Sequence, residues 1–120
     1  MIVSSDHNEH ISENTIDENL DTRWSANNDG QWIQYSFERE ELIEQLAIAW
    51  YLGNERVANF ESVGSTDGHQ WTIVYDGESS GKTIYPETYR FEQVRVNYVR
   101  IINHRNTMNN WNSITEVMFR

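Results

Sequence analysis

Short runs in which aromatic and β-branched residues alternate with polar ones recur along most of this chain, each closed by a cluster of turn residues. The clearest runs are Gln31–Phe37, Ile43–Trp50, Asn59–Ser65, Trp71–Tyr75, Glu87–Phe91, Tyr98–Asn103 and Ile114–Phe119. Ile33, Tyr35 and Phe37 share one face of the first run, and Leu46, Ile48 and Trp50 share one face of the second, as in half-buried strands. Between the runs stand Asn27-Asn28-Asp29-Gly30, Gly53-Asn54, Thr66-Asp67-Gly68, Asp76-Gly77 and Ser79-Ser80-Gly81. This punctuation predicts an all-β chain folded as an antiparallel β-sandwich of about eight strands. Glu38–Glu44 has a helical composition but covers only about two turns, too few to stand without tertiary help. It is expected to be a connection.

At 120 residues the chain has the length of one domain, able to bury a core without staples. It has no cysteine, so disulfides and thiolate metal sites are excluded. No apolar run approaches the roughly 20 residues of a membrane span, and the N-terminus does not read as a secretory signal. The formal charge of −10 argues against nucleic acid, whose affinity rests on Lys and Arg meeting phosphates. Residues 1–60 hold 12 acidic and 3 basic side chains, residues 61–120 hold 7 and 6. From Arg95 onward four Arg stand against only Glu116, so an anionic ligand is disfavoured by the first half and tolerated by the last quarter.

Five Trp, six Tyr and four Phe must supply much of the core that the aliphatic residues do not. Trp24, Trp32 and Trp50 are expected inside, with Arg23 and Arg100 bracing the sandwich. Aromatic rings together with many Asn and few Lys are also the composition of a sugar binder, because rings stack on C–H faces and amides pair with hydroxyls. If consecutive strands are antiparallel, segments 26–30, 51–58, 76–86 and 104–113 share one end of the sandwich, and 38–42, 66–70 and 93–97 share the other.

The run from Asp17 to Ala26, then Asp29-Gly30-Gln31-Trp32-Ile33-Gln34-Tyr35, resembles the start of coagulation factor 5/8 type C (discoidin) domains, which include the family 32 carbohydrate-binding modules. Ile48-Ala49-Trp50-Tyr51, Arg56–Glu61, Ser65-Thr66-Asp67-Gly68 with Trp71, Tyr98-Val99-Arg100-Ile101 and Asn109–Val117 continue the likeness in order. Trp50-Tyr51 before a Gly-Asn-x-Arg loop, and His104 before Trp111-Asn112-Ser113-Ile114-Thr115-Glu116, look most like the modules attached to bacterial alginate lyases. The resemblance implies a β jelly roll, a structural calcium and a sugar site in loops at one end. It further implies a non-catalytic, monomeric module of a secreted or cell-surface bacterial protein. Such a module would be tethered to a polysaccharide lyase and would bind polysaccharide, alginate in particular, without inserting into a membrane.

The family's calcium positions fall on Asp17, Asn19, Thr22 and Glu116, oxygen donors of the kind a hard cation takes. Glu18 stands where the family commonly has Gly. For the sugar, Tyr51, Asn54 and Arg56 lie in one same-end loop, and His104, Arg105, Asn106, Asn109 and Trp111 in another. The family pattern adds His7 at the rim. Arg56, supported by Arg105, is expected to fork onto a uronate carboxylate; Tyr51 would stack, His104, Asn106 and Asn109 would pair with hydroxyls. An ion pair of Arg56 with Glu55 or Glu61, a core position for Trp111, and a turn held by the Asn side chains are the competing assignments. Two other functions compete. A glycosidase would need two carboxylates about 5 to 9.5 Å apart in a cleft, and a lyase a base such as His or Tyr next to the uronate; these loops place amides and Arg at the rim, with no evident carboxylate pair. An adhesion module would bind protein or neutral galactosides instead.

Overall fold

The computed structural model describes residues 1–120. Seven strands follow one another with almost no helix: β1 (Ile2–Val3), β2 (Trp24–Asn27), β3 (Gln31–Trp50), β4 (Ala58–Ser65), β5 (Thr72–Glu78), β6 (Glu87–Asn106) and β7 (Trp111–Phe119). All pairings are antiparallel, in the order β2-β7-β3-β6-β4-β5, with β1 on the free edge of β3. A single 3₁₀ turn at Ser12–Thr15 is the whole helical content.

The predicted runs Gln31–Phe37 and Ile43–Trp50 are two halves of one 20-residue strand, as Glu87–Phe91 and Tyr98–Asn103 are of another. Glu38–Glu44, expected to be a connection, is strand. The β3–β6 ladder runs in register from Gln31↔Asn103 to Ser36↔Tyr98, slips, and resumes at Glu41↔Val96. Such irregularities bend a strand and raise its twist. The bend folds the ladder over on itself, so Ile33 and Tyr35 from the first half of β3 share a core with Leu46, Ile48 and Trp50 from the second. That is how one hydrogen-bonded sheet becomes a sandwich. The charged composition of 38–41 suits its exposed crest, and Ile43, Val96 and Val99 fill the inside of the bend.

Folding over also returns both ends of each long strand to the same place. Residues 51–58, 79–86 and 104–113 do gather with 26–30: Ser79 N–H donates to Ala58 O (2.9 Å), Thr107 N–H to Val57 O (3.0 Å) and Asn28 N–H to Asn110 O (2.9 Å). At the opposite end Arg95 approaches Glu40 at 3.9 Å. The expected grouping holds, but through two bent strands rather than four short ones.

Trp24 and Trp50 lie in the core, where their indole N–H groups donate to Ser5 O (3.0 Å) and Tyr89 Oη (2.9 Å). Buried donors must be paired in this way or destabilise the fold. Trp32 does not join them. It is half-buried on the outer face of β3, where the Arg100 guanidinium lies 3.9 Å from its ring centre and 4.4 Å from that of Trp71. Arg100 Nε donates to Gln34 Oε1 at 2.8 Å, so Arg100 does brace the sheet, from outside.

Candidate functional site

Alternation along β2 sends Trp24 inward and leaves Arg23 and Ser25 on the other face. Ser25 is paired across the ladder with Ser113, and Asn27 with Trp111. These residues floor a pocket of about 180 Å³ on the outer face of the β2–β7 ladder, lined by His7, His10, Arg23, Ser25, Tyr51, Arg56, Trp111 and Ser113. No carboxylate lines it.

Two walls stand over this floor, and backbone hydrogen bonds fix each. The N-terminal turn carries His7 and His10, held by His10 N–H to His7 O (3.0 Å) and Ser25 N–H to His10 O (3.1 Å). The loop after β3 carries Tyr51 and Arg56, and Tyr51 N–H donates to Ser113 O at 3.2 Å. This loop turns tightly: the Glu55 and Arg56 N–H groups both donate to Leu52 O. Gly53 is required there, because a Cβ would fall 2.3 Å from the Thr83 carbonyl oxygen. The turn drives Arg56 back into the protein, where it is only 8% exposed.

Both guanidiniums approach Tyr51, with Arg23 3.9 Å and Arg56 5.5 Å from the ring centre. Arg23 Nε also donates to Ser25 Oγ (3.1 Å). Neither arginine is in ion-pair range of a carboxylate. Burial disfavours the charge of Arg56; the Tyr51 side chain and, less strongly, Glu55 offset this in part, while Arg23 adds repulsion. Two cations beside a ring, with no carboxylate in ion-pair range, can together take an anion. Trp111, half-buried, meets the His7 ring edge-on at 4.9 Å, and the two form the aromatic rim.

Of the residues singled out in the sequence, His7, Tyr51, Arg56 and Trp111 come together in this pocket. The others do not. Asn54 is exposed on the loop away from the lining. His104 is held by Asp29 (Nδ1 to Oδ1, 2.6 Å) and Glu61 (Nε2 to Oε1, 3.2 Å), and Arg105 Nε lies 3.8 Å from Asp29. Burial disfavours the His104 charge, but these two carboxylates outweigh it and raise the pKa above its usual value of 6.5. Asn106 donates to Asn109 Oδ1 and Trp111 O and accepts from the Met108 and Asn109 N–H groups. Asn109 Oδ1 accepts from Trp111 N–H. The asparagines thus hold a turn, though Asn106 also touches a narrow cleft behind the pocket. Glu61 serves His104 and Arg56 pairs with neither Glu55 nor Glu61.

Arg23, expected to brace the sandwich, instead lines the pocket over Tyr51, and His10, Ser25 and Ser113 were not singled out. The signal was present in the two-residue period that places Arg23 and Ser25 opposite Trp24. It required knowing that Ser113 and Trp111 face them from a strand 88 residues distant in sequence, as the Ser25–Ser113 hydroxyl contact at 2.8 Å shows.

The 17–22 loop closes around a second feature. Asp17 accepts hydrogen bonds from Asn19 N–H (3.0 Å) and from the Thr22 hydroxyl, and Asn19 Oδ1 accepts from Asp21 N–H (2.9 Å). Glu18 adopts φ of 58°, the left-handed conformation for which glycine would be easier. The Glu116 side chain is buried beneath the loop, and one carboxylate oxygen, Oε2, has no protein partner. Burial and the nearby Asp17 push the Glu116 carboxyl up, although the nearby Glu18 and Asn19 N–H dipoles act against this. Asp17, Asn19 and Thr22 are tied together in the loop and Glu116 lies near Asp17; an orphaned carboxylate oxygen close to a second carboxylate is chemistry that fits a hard cation.

An antiparallel sandwich with an open pocket of rings, hydroxyls and two arginines that meet no carboxylate is suited to holding a ligand. The chain belongs to the F5/8 type C domain family, whose model matches residues 1–117, and within it to the family 32 carbohydrate-binding modules. It is 40% identical to the family 32 module of AlyQ, solved in complex with 4,5-unsaturated mannuronic acid; the match has a TM-score of 0.96 and covers 99% of this chain and 92% of that one. A truncated AlyQ with module and alginate lyase domains is 41% identical, with a TM-score of 0.95, over 98% of this chain and 30% of that one. A pectin-binding carbohydrate-binding module is 28% identical, with a TM-score of 0.94, over 99% of this chain and 87% of that one. No curated protein sequence matches the chain. The domain is a binding module, not a catalytic unit.

Proposed function

We propose that this module recognises uronate residues of alginate and holds an attached polysaccharide lyase, outside the cell, on its substrate. What carries the reading is the convergence of Arg23 and Arg56 on Tyr51 in a pocket without a carboxylate. The two forks take the uronate carboxylate, Tyr51 and Trp111 flank the sugar ring, and His7, His10, Ser25 and Ser113 offer partners for hydroxyls. The mannuronate-bound AlyQ module supports alginate; the pectin-binding module keeps galacturonate as the second reading.

Calorimetric titration with oligomannuronate, oligoguluronate, oligogalacturonate and neutral galactosides tests this, repeated with Arg56→Ala. Loss of a charged hydrogen-bonding pair costs about 1.5–3 kcal/mol, so uronate affinity should fall roughly 10- to 150-fold in the variant. Saturable binding of neutral galactosides alone would sink the uronate reading. For the 17–22 loop we propose a structural calcium held by Asp17, Asn19, Thr22 and Glu116. It would neutralise two carboxylates and clip the start of the domain to β7. Millimolar calcium should then raise the melting temperature by mass action, an effect that Glu116→Gln removes.

A further inference from the structure

Behind the sugar pocket lies a narrow cleft of about 10 Å³, sharing Tyr51, Arg56, Trp111 and Ser113 with it and closed at the back by Asn103. Asn103 is 1% exposed. Its amide orientation is determined, because Nδ2 donates to Gln31 O and Ile101 O, both at 3.2 Å, which leaves Oδ1 as the free atom. No protein donor reaches that oxygen. The other polar neighbours are engaged elsewhere: Asn112 donates to Ala26 O and Asn28 O and accepts from Arg105 N–H, Ser113 pairs with Ser25, and Asn106 holds its own turn. Arg56, buried and without a carboxylate, lines the same cleft.

A buried amide acceptor without a donor and a buried guanidinium without a carboxylate, on two residues that line one water-sized space, have complementary needs. A water requires about 10–15 Å³ and two to four polar partners. We infer that one ordered water sits in this cleft, donating to Asn103 Oδ1 and accepting from the Arg56 guanidinium, and that Asn103 thereby positions Arg56 for the ligand. The water satisfies the arginine without neutralising it. A carboxylate at the same place would satisfy it too, and would cancel the charge that a uronate needs. Asn103 is thus a positioning residue whose neutrality matters as much as its acceptor. This inference rests on the uronate reading for its consequence but not for the water itself.

A crystal structure of the domain at about 1.5 Å or better, without sugar, decides the first part. The expected result is a density peak within hydrogen-bond distance of both Asn103 Oδ1 and the Arg56 guanidinium. A cleft closed by direct contact between Asn103 and Arg56, or holding no peak, would overturn it. The second part is read from Asn103→Leu, checked for folding by circular dichroism and titrated with unsaturated trimannuronate. Affinity should fall about tenfold, and its crystal structure should show the Arg56 guanidinium displaced. A folded variant that binds within twofold of the parent, with Arg56 in place, would overturn the positioning role. If the variant does not fold, the unsubstituted protein's structure still decides the water. If no uronate binds the parent, the alginate reading fails while the peak at Asn103 still confirms or overturns the water.

Discussion

Two loops at the same end of the sandwich each bring forward cationic groups, and the protein treats them in opposite ways. In the loop after β3, Arg56 is buried beside Arg23 and Tyr51 and meets no carboxylate. In the segment leading to β7, His104 and Arg105 are exposed enough to be solvated, yet Asp29 and Glu61 stand against them. The second set is neutralised from within and serves the fold. The first is left without a counter-charge, at some expense in stability. In a protein of net charge −10, two arginines that converge on one ring without a carboxylate in ion-pair range set this concave surface apart.

Placing a carboxylate in the pocket should erase this difference most completely. Ser113→Asp would give Arg23 and Arg56 the internal partner that His104 already has. Because breaking or pre-empting a buried charge contact is worth about 3–5 kcal/mol, uronate binding should weaken by more than about 100-fold in calorimetry while the variant still folds. Retained affinity would mean that the two arginines do not carry the site.

Gly53→Ala tests how the loop holds its arginine. The new Cβ would sit 2.3 Å from a backbone oxygen, so the loop must shift and carry Tyr51 and Arg56 with it. Affinity should drop about tenfold and the melting temperature by a few degrees, since strain of this kind costs about 1–3 kcal/mol. His104→Ala should do much less. Being committed to Asp29 and Glu61, it should change uronate affinity by under about twofold, and a larger loss would return the 104–110 segment to the site.

The smallest effect expected is a pH dependence of stability. Because His104 has a raised pKa in the folded state, its contribution is complete below about 6.5 and is lost as pH rises through the folded-state value. The group is partly solvated, so the loss should stay under about 1 kcal/mol in urea unfolding. It should vanish in His104→Ala. Asp29 contributes in the other direction: its pKa is lowered, chiefly by the hydrogen bond from His104, so its share holds above 3.8 and fades in acid.

How much of this was legible beforehand differs between the levels of structure. The strand runs, the inward Trp24 and Trp50, and the gathering of turn segments at one end follow from alternation and turn chemistry, which are local. The fusion of runs across Glu38–Glu44 was not legible. Charged residues on an exposed crest look the same whether the backbone is looped or bent strand, and the ladder to β6 decides. Trp32 read as core because large rings usually are, yet its place on the outer face is set by its stack with Arg100 and Trp71.

For the site, residue type pointed to Arg56 and Tyr51, because a planar fork and a ring are what a uronate demands. It could not separate them from His104 and Arg105, which offer similar chemistry a few residues from Trp111. Sequence by itself determined an all-β domain, rich in rings and amides, with cations on loops that share one end. Tertiary structure decided which cations remain without an ion pair, by setting Asp29 and Glu61 against His104 and lining the pocket of Arg23 and Arg56 with serines, histidines and rings. The reason is that a charge is available to a ligand only when no closer partner neutralises it, and partners 43 to 75 residues away in sequence are set by strand pairing alone.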